Sequence, residues 1–138
     1  MTEELKRKKF LYINRKAPHG TIYALESLEV VLIGAAFEQD VSLAFIDDGV
    51  FQLMNGQDTS GVGIKNFSKT YRALGDYDVR KLYVERESLA ERGLAPEDLM
   101  PITYEDEAED YAERPSVHFL DRAEMSKLIA EQDVILSF

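Results

Sequence analysis

The 138-residue chain contains no cysteine. That absence removes disulfides, zinc–thiolate sites, CxxC redox pairs and thiol nucleophiles together. The fold must rest on an ordinary apolar core, and any chemistry falls to oxygen, nitrogen or backbone groups. No apolar run approaches the ~18 residues of a membrane-spanning helix. The opening residues, Met1 to Lys9, lack the apolar core and small-residue cleavage site of a signal peptide. The expected compartment is therefore the cytoplasm, which zero cysteine does not contradict. Positive charge is also scarce: 16 basic against 26 acidic residues give a formal charge of −10. Such a chain repels nucleic acid in bulk, because phosphate binding depends on lysine and arginine. The one basic cluster, Lys6 to Lys9, reads either as an anion or RNA contact or as a solvated lead-in that blunts the first strand. Only two histidines are present. They lie far apart and neither has a ligand-spaced partner, so no metal site is expected.

What is there fits one domain over residues 1–138, near the common size of an independent folding unit. Residues 10–13 form an apolar run expected as the first strand. A loop follows, punctuated by Pro18 and Gly20, and Thr21 is a good N-cap for a helix over about 22–37. On that helix Ala24, Leu25, Leu28, Val31, Leu32, Ala35 and Ala36 share one face, the expected core stripe. Tyr23, Val30, Ile33 and Phe37 lie on the other side. A helix on a sheet needs one apolar face, so a second stripe needs cover: another chain, or a loop or helix of this one. The first reading makes these four residues a candidate subunit interface. Residues 41–46 read as a strand buried on both faces, ending in the turn signal Asp47, Asp48, Gly49. Ile64, Phe67, Tyr71 and Leu74 are spaced as a helix stripe that Gly75 stops. Residues 79–84 are expected as a strand and 88–93 as a short helix with a glycine end. Residues 102–104 are a candidate strand, the acidic run 105–113 is expected as a solvated loop, 117–120 as a strand, and 133–138 as a closing strand. Between these last two, Asp121 and Glu124 have capping-box spacing, and Met125, Leu128 and Ile129 make the apolar face of a final helix.

Strands that alternate with helices imply an α/β fold. The expectation is a mainly parallel sheet of about five strands with helices on both faces, flavodoxin-like. Ligands of such sheets bind beyond the carboxyl ends of the strands. The loops to inspect are 14–21, 47–49, 55–63 and the segment after Val84. Pro18, His19, Gly20 and Thr21 make a candidate pocket loop at a helix N-terminus, where free N–H groups and the dipole favour an anion. The same residues also read as a tight turn with His19 merely exposed. Asp47 and Asp48 suit Mg²⁺ in principle, but a strand-ending turn explains both. There is no dinucleotide glycine fingerprint, no P-loop and no GxSxG elbow. From the chemistry alone no enzyme, cofactor or catalytic residue is assigned.

Several segments together resemble one family, the DsrE/DsrF/TusC-like sulfur-relay proteins. They are Lys9-Phe-Leu-Tyr-Ile13, Ala17-Pro-His-Gly-Thr21, Asp48-Gly-Val-Phe-Gln-Leu53 with Gly56-Gln57, Leu74-Gly-Asp-Tyr-Asp78, Ser88-Leu89 with Glu91-Arg-Gly-Leu94, and Asp133-Val-Ile-Leu-Ser-Phe138. Each is weak alone, but they run in family order across nearly the whole chain. The resemblance is closest to the DsrF/TusC-type subunit. Gly56-Gln-Asp-Thr59, Lys65-Asn-Phe-Ser68 and Thr70-Tyr-Arg72 lean towards DsrF of sulfur-oxidising bacteria. The resemblance implies a heterohexamer with DsrE-like and DsrH-like subunits, two copies of each. It implies persulfide transfer towards a DsrC-type acceptor, or, in the TusBCD branch of tRNA 2-thiouridine synthesis, a TusE-like one. In these complexes the sulfur rides on a cysteine of the E-type (TusD-like) subunit, a role that needs a thiolate. Serine cannot take it, so no position of this chain can. The expected function is thus a non-catalytic subunit of a DsrEFH-type sulfurtransferase. The alternatives are a TusC-type subunit and, in another class, a stand-alone small-anion or nucleotide-binding α/β enzyme using residues 17–21.

Overall fold

Strand β2, Asp40–Phe45, shows why this sequence makes a parallel sheet. Val41, Leu43 and Phe45 point to one face and Ser42 and Ala44 to the other, and all five are buried. A strand buried on both sides needs a neighbour at each edge and a layer over each face. The computed structural model describes residues 8–16, 30–35, 39–54, 74 and 79–138. β1, Lys9–Asn14, pairs parallel with β2 on one side and with β7, Val134–Ser137, on the other. β3, Leu82–Glu85, pairs parallel with β2, and β6, Val117–Leu120, pairs parallel with β3. The main sheet is therefore five-stranded, in the order β6-β3-β2-β1-β7.

The chain steps from β1 through β2 and β3 to β6 in one direction. It then returns to lay β7 beside β1. Right-handed crossovers put the connection of that return step on the opposite face. The packing agrees. The helical stretch 30–35 (α1) and helix α2, Arg86–Glu91, contribute Val31 and Leu89 to a core built on Tyr12, Val41, Leu43, Phe45, Leu82 and Val84. Helix α3, Arg122–Ala130, packs Met125, Leu128 and Ile129 on the other face, against Leu11, Ile13 and Ala44. The mainly parallel five-stranded α/β sheet with helices on both faces is thus observed. With a separate hairpin, residues 103–106 and 112–115, set aside, its strand order is 4-3-2-1-5, a detail that differs from the 2-1-3-4-5 of flavodoxin.

Local expectations fare unevenly. The capping box opens α3 as expected: Glu124 N–H donates to Asp121 Oδ1 at 2.7 Å and Asp121 N–H to Glu124 Oε1 at 2.9 Å. Gly93 ends the α2 turn at φ 68°, where glycine is favoured. β3 begins three residues later than expected, at Leu82, because the Val79 N–H turns back to Leu74 O at 3.1 Å. The turn at Asp47 continues into a 3-10 helix, Asp47–Leu53, that buries Val50 and Leu53.

The acidic run is not a loop. It is an antiparallel hairpin, β4 Thr103–Asp106 with β5 Ala112–Pro115. Arg114 answers Asp106 at 3.7 Å and also pairs with Glu109. The Arg80 guanidinium lies 4.7 Å above the Tyr104 ring. Asp110 and Tyr111 reverse the chain in left-handed backbone conformations. Of the expected helix on Ile64, Phe67, Tyr71 and Leu74, only Leu74 is described, and it is fully buried. The rest lies outside the described residues, as does the greater part of the expected helix 22–37.

Burial makes one titration measurable. Burial raises the phenol of Tyr12 above its ordinary value; burial also raises that of Tyr83, against the lowering pull of Lys81. A phenol raised in the folded state gives up its proton later than it does unfolded. Its contribution is full below the unfolded value of about 10 and is lost as pH rises through the folded one. Urea midpoints should therefore begin to fall above pH ~10, and Tyr12→Phe should make the fall shallower. An unchanged slope in that variant would assign the alkaline loss to other groups.

Candidate functional site

The carboxyl ends of β1, β2 and β3 carry most of the buried polar groups: Asn14, Gln52, Glu85 and Ser88 are each 7% exposed or less. The 3-10 helix after β2 draws them together. Its Ile46 lead-in donates N–H to Asn14 O at 3.1 Å, and Asp47 N–H donates to Ser88 Oγ at 2.9 Å. Gln52 Nε2 reaches Lys16 O at 2.8 Å. The Ser88 hydroxyl donates onward to Glu85 Oε1 at 2.7 Å. Glu85 is the last residue of β3 and the N-cap position of α2, and its side chain turns to Ser88 and Arg122 with no capping bond to the helix start.

Four carboxylates of this rim, Asp47, Asp48, Glu85 and Glu91, lie within 4 Å of an arginine, while Glu87 accepts the Arg122 backbone N–H at 3.1 Å. Arg122 Nη2, from the first turn of α3, sits 3.2 Å from Glu85 and 3.5 Å from Glu91. Arg92 Nε holds Asp48 at 3.0 Å, and Arg15 Nε lies 3.5 Å from Asp47. The hydrogen bond to Glu85, and then its charge, holds the Arg122 guanidinium above its ordinary value. Arg122 is more than half exposed, so solvent screens its ion pair and the pair contributes little to stability. The buried Ser88–Glu85 bond decides more. Without its acceptor the hydroxyl would be stranded in the interior, at a cost of about 2 kcal/mol. Glu85→Ala should lose roughly that in urea unfolding, and Glu85→Gln, which keeps an acceptor, clearly less. Equal stability of both variants and the parent would dismiss the clamp.

This arrangement ties the 3-10 helix, α2 and α3 to the ends of β1 and β3. The described residues hold no group of three histidine, aspartate or glutamate side chains suited to a metal. Asp47 and Asp48 are engaged by arginines and terminate a strand. Of the candidate pocket loop, Pro18, His19, Gly20 and Thr21 all lie outside the described residues. Of the candidate interface, so do Tyr23 and Phe37. The other two part company: Ile33 is 58% exposed, whereas Val30 is half-buried against the core. Asn14 Oδ1 is buried and accepts no hydrogen bond among the described residues.

Sequence reasoning singles out the segment after Val84 but not its two working residues. Glu85 and Ser88 stand three apart across a strand-to-helix junction, a spacing at which a carboxylate and a hydroxyl meet. That spacing is the available signal.

Comparison with known proteins gives the chain its relatives. The DsrE/DsrF-like family profile matches residues 8–138. The "Intracellular sulfur oxidation protein DsrF" of Allochromatium vinosum is 58% identical over 131 residues, covering 95% of this chain and 96% of that one. "Protein TusC" of Escherichia coli is 39% identical over 90 residues, covering 65% and 76%. A TusC homolog of Vibrio parahaemolyticus is 39% identical over 89 residues, covering 64% and 75%. Among solved structures, the ychN protein of E. coli superposes with a TM-score of 0.71 at 17% identity, covering 95% of this chain and 99% of that one, a likeness of fold.

Proposed function

We propose, from the premise that the chain belongs to the DsrE/DsrF-like family, that it is a non-catalytic subunit of a cytoplasmic sulfur-relay complex. The observation that carries this reading is the pairing of near full-length similarity to a sulfur oxidation protein with a sequence that holds no cysteine. Relay of persulfide sulfur needs a thiolate to attack and a thiol to leave. This chain has neither, so the sulfur is carried on a DsrE-like partner and this subunit completes the assembly around it. DsrE-like and DsrH-like subunits, two copies each with two of this chain, form the proposed heterohexamer, and a DsrC-like protein accepts the sulfur.

The similarity to DsrF spans more of both chains, at higher identity, than that to TusC. That contrast favours the sulfur-oxidation branch over the tRNA-thiolation branch with its TusE-like acceptor. A stand-alone anion- or nucleotide-binding enzyme would draw on Pro18, His19, Gly20 and Thr21, and nothing in the described rim adds a poised group to it. The test is co-expression with DsrE-like and DsrH-like subunits followed by native mass measurement. The expected species holds two copies of each. A chain that never leaves the monomer in their presence would end the proposal.

A further inference from the structure

The two edges of the main sheet are treated differently. At the β6 edge, Leu82 N–H donates to Ser116 O at 3.0 Å. The two-residue period of a parallel ladder then turns the Phe119 carbonyl outward. Arg86 covers it: Nη2 lies 3.4 Å from that oxygen, and the guanidinium lies 5.9 Å over the Phe119 ring. A charged side chain on an outward carbonyl is a usual way to close a sheet edge.

Among the described residues the β7 edge has no such guard. Phe138 gives its N–H to Ile13 O at 2.9 Å and takes Arg15 N–H on its carbonyl at 3.1 Å. The same period assigns Leu136 inward and leaves the N–H and C=O of Ile135 and Ser137 facing away from β1. No charge and no proline occurs within Val134–Ser137. Two of its side chains, Ile135 at 43% and Leu136 at 37%, are among the few large apolar groups exposed. Leu136 lies in register with Tyr12, and Gly34 of α1 sits over the Tyr12 hydroxyl. Exposed Ile33 is therefore carried on the same face of the sheet.

We infer that β7 pairs antiparallel with β7 of a second copy of this chain, joining two sheets across a two-fold axis. The strand is complementary to itself. Ile135 of each copy would form a hydrogen-bonded pair with Ser137 of the other, which uses all four outward groups. Leu136 would then face Leu136 of the second copy at the intervening non-hydrogen-bonded position, with Cα atoms about 4.5 Å apart. No like charges meet within the paired window. A two-fold contact of an edge with its own copy closes as a pair and does not propagate. The inference concerns this chain alone and does not depend on the relay reading.

The absence of cysteine makes the test unambiguous. Leu136→Cys places the only thiol at the axis, at a Cα separation within the ~4.4–6.8 Å that a disulfide spans. Four residues a side is far below the ~1,000 Å² of a stable interface. Cross-linking, which accumulates brief encounters, is therefore the right measurement. Under mild oxidation Leu136→Cys should form covalent dimer at least about tenfold faster than Tyr111→Cys, a more exposed control on the hairpin tip that reports random collision. The rate should rise with salt, because each copy carries a formal charge of −10. Adding Ser137→Lys should return it to the control rate. Circular dichroism melts establish that each variant is folded. Cross-linking of Leu136→Cys no faster than the control, or undiminished by Ser137→Lys, overturns the inference.

Discussion

Gly49→Ala is expected to cost at least about 3 kcal/mol of stability, at the upper end of what overpacking does. A Cβ at this position would fall 1.8 Å from the carbonyl oxygen of Asn14 and 2.5 Å from its carbon. Both are backbone atoms, and neither side can give way. The Asn14 carbonyl is held by Ile46 N–H at 3.1 Å, and Gly49 N–H is itself tied to Ile46 O at 2.9 Å. The clash would push the 3-10 helix off the end of β1 and break the bonds from Gln52 to Lys16 and from Asp47 to Ser88. Gly93 is the natural control. It has φ 68°, but a Cβ added there would meet nothing within 4 Å, so Gly93→Ala should cost only the left-handed penalty of about 1–2 kcal/mol. Urea unfolding of both variants separates the cases. Equal losses would mean that Gly49 matters for its backbone freedom and not for its closeness to β1.

Ile33→Asp is expected to leave the fold intact and remove the chain from its complex. At 58% exposure the side chain gives the monomer little, so its stability should change by no more than about 0.5 kcal/mol. If Ile33 is buried at a subunit boundary, a carboxylate there would cost about 2 kcal/mol or more of binding, roughly thirtyfold in affinity. Val30 cannot serve in the same experiment, because it packs against the core and its replacement would weaken the fold directly. Co-purification with DsrE-like and DsrH-like subunits, read beside a thermal melt, gives the answer. An unaltered complex would take Ile33 out of the interface.

Some of the fold is legible in the sequence because burial leaves a pattern. β1 and β2 read as continuous apolar runs since both of their faces are covered, and α3 shows itself through Asp121, Glu124 and the Met125, Leu128, Ile129 stripe. Of the β4–β5 hairpin only the candidate strand at 102–104 is legible. None of its strand residues is buried, so there is no period-two apolar signal, and Glu105 stands opposite Glu113 where pairing rules expect opposite charges. The rim is half legible. The loops to inspect follow from the parallel sheet, but a lone Glu85 after Val84 gives no sign of its burial until the 3-10 helix brings Asp47 against Ser88. Gly49 likewise reads as a turn residue, whereas its place is set by contact with Asn14. Val30 and Ile33 share one stripe by spacing, and only packing divides them.

The central claim is that this subunit takes part in sulfur relay without holding the sulfur. Loading the co-expressed complex with a persulfide donor and weighing each denatured subunit tests it most directly. The account predicts the mass increment of one sulfur atom on the DsrE-like subunit, lost under thiol reductant, and none on this chain. A reducible sulfur adduct on this chain itself would contradict it.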